Sequence, residues 1–199
     1  MVLEENKVDW SNLKSGSGRG TLVPLLIQQL KSDDQDLQLS AYESLTSELV
    51  HQGHVYEVAL YALPMLRDLL STSHNELKQG IAVLIAEIGT GILPIHAVKN
   101  DGSDWRKILE KTGRSLDDEL AREEIRQEQI KREVMKCLPD VAGFISDSDP
   151  MVRRVVADVI SIYPESRNFA LPVLVSALEK ETDQYVREEL EKYIDRLGP

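Results

Sequence analysis

A proline set inside an apolar helical stretch recurs four times along this chain. Each time a polar hinge follows about ten residues later, and this recurrence restricts the fold more than any other feature. The segments are Val23-Pro24-Leu25-Leu26, Leu63-Pro64-Met65-Leu66, Leu138-Pro139-Asp140-Val141 and Leu171-Pro172-Val173-Leu174. Counted from each proline, the tenth residue is Asp34, His74 or Asp149, the thirteenth Leu37, Leu77 or Val152, and the fourteenth Gln38, Lys78 or Arg153. The fourth copy carries one extra residue and supplies Asp183, Val186 and Arg187. Self-similarity of this kind predicts one helix-turn-helix unit repeated and stacked, because no single unit can bury its apolar face alone. An all-α solenoid follows, offering an extended surface rather than a pocket.

The third copy carries the fullest pattern. Its apolar helix with Pro139 leads into the Asp-rich turn Asp147-Ser148-Asp149, then Val152-Arg153 and the small-residue stripe through Ala157. In this it resembles HEAT repeats, and the resemblance covers residues 21–89 and about 122–197. It implies a right-handed α-solenoid superhelix of about four helix pairs in one domain, 21–199, with one insertion at about 90–121 and a flexible lead-in over residues 1–20. It implies a fold and no particular reaction.

Periodicity places helices near 21–31, 35–50, 55–71, 75–89, 165–180 and 183–197. Thr21 is the expected N-cap of the first, with Pro24 early enough to be tolerated. Leu37, Ala41, Leu45 and Leu49 form the buried stripe of the second. The helix holding Ile81 to Ala86 is apolar nearly all round and is expected to be central. Residues 90–121 break the rhythm with Gly91, Pro94, Asn100-Asp101-Gly102 and Gly113. A short helix is expected over Trp105–Leu109, and a long charged one from about Asp117 with Ile125, Ile130, Val134 and Leu138 inward. Ser15-Gly16-Ser17-Gly18-Arg19-Gly20 is too glycine-rich for a helix and reads as a flexible lead-in, with the alternative that Trp10 and Leu13, at helical spacing, dock a short N-terminal helix against the first repeat.

Net charge is −11 across 199 residues. An acidic surface repels phosphate backbones and anionic lipids and draws basic partners. The basic cluster Arg122, Arg126, Lys131 and Arg132 is interleaved with glutamate. Cys137, the single cysteine, sits on an apolar helical face as a small buried hydrophobe. The opening residues lack a basic leader followed by an apolar run, and no apolar stretch approaches the ~20 residues of a membrane span, so the expected compartment is the cytoplasm.

Core packing does not account for His51-Gln52-Gly53-His54-Val55-Tyr56-Glu57, between the first two units. This loop is similar to one found in a group of bacterial HEAT-repeat proteins without an assigned reaction. Gly53 is expected to supply a positive φ, and Glu57 to sit in the first turn of the next helix. Two readings stay open: a polar contact cluster at the edge of a binding face, or a tied inter-repeat loop. His51, His54 and Glu57 lack the firm spacing of a zinc site, so no metal is assigned. Residues 16–20 have neither the strand nor the lysine of a phosphate loop, and no serine lies in a nucleophile elbow.

The chain is accordingly expected to be a binding module rather than an enzyme, with no cofactor and no nucleic-acid or membrane partner. It would grip a basic protein on the concave face of its second helices. Glu43, Ser47, Glu48, Glu87, Arg154 and Asp158 are expected there, flanked by His51, Gln52, His54, Tyr56 and Glu57. Size and acidity suit an immunity protein neutralising a basic toxin domain. The alternatives are a HEAT-like nucleic-acid-processing enzyme of the glycosylase type, which needs a basic, aromatic-lined groove, and a cofactor-assembly chaperone, which needs an apolar concave face.

Overall fold

In a computed structural model the described residues are 8–72, 75–91 and 103–198. The hinge residue His74, His96 and the Asn100–Gly102 turn lie outside them. Within the described residues the chain is all-α apart from one small hairpin. The helices are α1 (Val23–Gln29), α2 (Gln35–Leu49), α3 (Val58–Thr72), α4 (Asn75–Thr90), α5 (Ser103–Lys111), α6 (Leu116–Val141), α7 (Pro150–Ser161), α8 (Arg167–Lys180) and α9 (Gln184–Leu197). The hairpin strands are β1 (Val50–His51) and β2 (His54–Val55). Thr21 does not cap α1: it lies in a 3₁₀ turn, Gly20–Leu22, that runs directly into the helix.

The chain divides into two compact units, Met1–Met65 with Gly91–Lys131, and Leu66–Thr90 with Arg132–Pro199. In the first, α1 packs on α2, burying Val23, Ile27 and Leu30 with Ala41, Leu45 and Leu49. In the second, α4 packs on α7, α7 on α9, and α8 on α9. Ile81, Leu84, Ile85, Val156, Val159, Ile160, Leu174 and Leu190 are all buried there. The expected central helix is thus well covered, with five of its six residues from Ile81 to Ala86 fully buried and Val83 partly so.

One local arrangement is made three times. Asp34 accepts hydrogen bonds from the Asp36 and Leu37 amides, Asp149 from that of Met151, and Asp183 from that of Val186. Each is the N-cap of a second helix, satisfying amides that have no intrahelical partner. Four residues on, a side chain reaches back to the carbonyls that end the preceding segment. Gln38 donates to Leu30 O (2.8 Å) and Ser32 O (3.3 Å). Arg153 donates to Asp147 O (2.8 Å) and Ser148 O (3.1 Å), and Arg187 to Leu178 O (3.0 Å). The residue before each reaching side chain is buried at Val152 and Val186, as is Leu77 at the same place in the second copy. Leu37 departs from the expected stripe at 39 % exposure, as does Ile125 on α6 at 63 %. Leu37 lies in the first turn of α2, and the buried face of that helix begins at Ala41.

Candidate functional site

The seven residues from His51 to Glu57 fold as a hairpin rather than an irregular loop. Val50 pairs with Val55 and His51 with His54. Gln52 (φ 51°) and Gly53 (φ 77°) form the two-residue turn, the positive-φ pattern of type I′, whose twist matches the strands it joins. Buried Val50 and Val55 pin its base, and the Tyr56 amide donates to Leu49 O at 2.9 Å. His51, Gln52 and Gly53 are exposed, while His54 and Tyr56 are half-buried. The His54 Nδ1 atom is buried without a hydrogen-bond partner.

Glu57 lies immediately before α3 rather than in its first turn, because its backbone still belongs to the turn that leaves the hairpin, and it is engaged on both carboxylate oxygens. Oε2 accepts the Lys14 amide (3.2 Å), and Oε1 pairs with the Arg126 guanidinium (2.7 Å), which also holds Glu123. Glu123 Oε2 is buried and unpartnered. One α6 turn earlier, buried Glu119 pairs with Arg114 (2.7 Å) and Arg122 (3.2 Å). The Arg114 hydrogen bond holds the Glu119 carboxyl below the usual carboxylate range. Lys131 pairs with Glu128 at 3.8 Å. The basic cluster of α6 is therefore largely neutralised by glutamates.

Glu48 corrects one expectation. It was placed on an exposed face, but it is buried at 7 % exposure. The reason is the Ser15–Gly20 run, which crosses the end of α2. The Gly16 amide donates to Glu48 O (3.0 Å) and the Ser17 amide to Glu48 Oε2 (3.4 Å). A Cβ at Gly16 would lie 1.9 Å from Ser47 O, so glycine here permits close backbone approach. The run expected to be a loose lead-in is thus tied to the fold. Its glycines carried that signal, which the same composition in a linker obscures.

Glu43 and Ser47 are exposed on α2, with the Ser47 hydroxyl donating back to Glu43 O at 3.1 Å. The remaining three residues belong to the second unit. Glu87 on α4 is half-buried, with no hydrogen-bond or ion-pair partner among the described residues. Burial raises its pKa. Arg154 on α7 has its Nε buried without an acceptor, and Nη2 lies 3.1 Å from Met151 Sδ. Asp158 accepts from Arg196 at 2.9 Å.

The Glu87 carboxyl titrates upward on folding, so folding favours its neutral form. Its contribution to stability grows as pH falls through the folded value and is unfavourable at neutral pH. Glu87→Gln is therefore expected to match or exceed the parent in thermal midpoint at pH 7. A clearly lower midpoint would show that the charge is compensated.

Cys137 is buried, and burial pushes its thiol up to about 12. Its Sγ donates to Glu133 O at 3.3 Å. Because the thiolate is the reactive form, a disulfide reagent should modify native protein at least ~100-fold more slowly than urea-unfolded protein. Equal rates would contradict the packing of α6.

Among the described residues no three His, Cys, Asp or Glu side chains gather at metal-binding distance. None of the described helices is long and apolar enough to cross a membrane. No protein-family model matches this sequence, and no curated protein shows significant similarity to it.

Proposed function

We propose that this chain is a HEAT-like α-solenoid that binds a basic protein partner through the face of its second helices. The observation that supports it most is the neighbour order in the second unit, where the second helices α4, α7 and α9 pack side by side. They leave Glu87, Arg154 and Asp158 half-exposed. Side-by-side second helices are what a stack of repeated pairs requires. Net charge of −11 supplies the long-range attraction for a cationic surface. The pairing of Arg122, Arg126 and Lys131 with glutamates leaves these residues poorly suited to a phosphate backbone.

The mechanism is steric occlusion with electrostatic steering, as an immunity protein would use against a basic toxin domain. Complementary charge speeds encounter and suppresses wrong partners, and salt weakens it. The test is affinity capture on the immobilised protein from extracts of its own cells, at low and high salt. A basic protein retained at low salt and lost at high salt, with retention reduced by Asp158→Lys, is the expected result. Recovery of no protein in either condition overturns the reading.

A further inference from the structure

We infer that residues 8–20 form a detachable strap, latched across the junction of α2, the hairpin and α3, which occupies the Glu48 and Glu57 carboxylates until it lifts.

The latch is polar and spans a short stretch. Lys14 N binds Glu57 Oε2, Val58 N binds Lys14 O (3.2 Å), Gly16 N binds Glu48 O and Ser17 N binds Glu48 Oε2. The seat is also shaped, since a Cβ on Gly20 would lie 2.3 Å from Val58 Cγ1 and one on Gly16 would strike the α2 backbone. The strap thus has one docked position, defined by backbone approach that only glycine allows.

Little apolar surface holds it there. Of residues 8–20 only Ser15 and Gly20 are buried, Trp10 and Leu13 are half-buried, and the rest are exposed. Trp10 meets Tyr61 edge-on at 6.3 Å, yet Tyr61 stays exposed. Segments with few buried apolar contacts and accessible hydrogen bonds open locally, well below the free energy of global unfolding. Docking also leaves the Ser15 hydroxyl buried without a partner among the described residues. Lifting rehydrates it, which favours the open form.

Glu57 remains positioned when the strap leaves, because its other oxygen is held by Arg126. Lifting therefore presents two carboxylates, one at the end of α2 and one at the start of α3, to a cationic segment. That last step rests on the binding reading above, while the latch itself does not.

Native-state hydrogen exchange on the full chain, without any partner, tests the latch. The amides of Lys14, Gly16, Ser17 and Val58 should exchange together, roughly 100-fold faster than those of Leu45 and Ala62, with little dependence on low urea. Gly16→Ala, which cannot redock, should remove their protection and leave Leu45 and Ala62 unchanged. Glu48→Gln, which keeps the fold's shape and weakens one acceptor, should accelerate the same group several-fold. Strap amides that exchange only with Leu45 and Ala62, in parent and both variants, overturn the inference.

Discussion

Gly89→Ala is expected to destabilise the protein, although alanine is the better helix former. The new methyl would lie 2.6 Å from Val159 Cγ2 and 2.9 Å from Val134 Cγ1, distances real carbon contacts do not adopt. Both neighbours are fully buried β-branched side chains, stiff about their first torsion, so neither can swing aside without moving its helix. With two stiff neighbours the overpacking falls in the upper part of its usual range, about 2–3 kcal/mol, and replacing glycine in a helix returns about 1 kcal/mol, so a net loss of about 1–2 kcal/mol is expected. The Tyr163 hydroxyl donates to Gly89 O at 2.8 Å, and any shift of α4 away from α7 also strains that bond. Urea unfolding measures the effect directly. Gly89→Val should be worse than alanine, and a variant as stable as the parent would mean that α4 and α7 are not packed as described.

Arg153→Ala is expected to cost more, about 3 kcal/mol, because it leaves a buried carboxylate without its cation. Arg153 Nε and Nη2 each meet a Glu181 oxygen at 2.7 Å, and Glu181 is only 4 % exposed in its side chain. The same guanidinium closes the Asp147–Ser148 carbonyls, so its loss also leaves two acceptors unpaired. Lysine cannot restore the two-pronged geometry. The Arg153 hydrogen bond holds the Glu181 carboxyl below the usual carboxylate range, aided by the Asp183 and Thr182 amides. With the folded pKa depressed, this stabilisation is complete above about pH 4.5 and is lost as pH falls through the lower folded value. The parent should therefore lose stability on acidification below pH 4.5 more steeply than Arg153→Ala. Parallel slopes for the two proteins would remove the pair from the account.

Much of the helical framework was legible because it is written locally. A proline inside an apolar helical stretch, an aspartate at the hinge and a basic or amide residue four positions later are all short-range signals. Asp34, Asp149 and Asp183 stand between helices at the hinges their spacing marks, where the structure makes them N-caps, and the apolar run of α4 becomes a buried core. Two-residue strands were not legible, since two positions cannot display an alternation. The Glu57–Arg126 pair joins residues 69 apart, and ion pairs between distant elements leave no periodic trace. Ser15–Gly20 was misleading for a different reason. Glycine enters a sequence both where the chain must be free and where two backbones must touch, and composition does not separate the two.

Within the candidate site the outcome is divided by what the rest of the chain lays against each residue rather than by residue chemistry. Glu48 and Glu57 are committed inside the first unit, to the strap and to Arg126. Glu43, His51 and Gln52 stay open to solvent. Both sets are polar residues in neighbouring sequence, and only the path of a segment more than thirty residues earlier distinguishes them.

The side chain that reaches back from Gln38, Arg153 or Arg187 to the end of the preceding segment gives three of the corners an elbow joint of their own. A stretch of the chain copied with such a corner would arrive with the carbonyl contacts that set the bend already made, as Gln38 and Arg187 make theirs within nine residues. Lengthening by duplication is thus open to such a chain in a way that it is not where every corner depends on a distant neighbour.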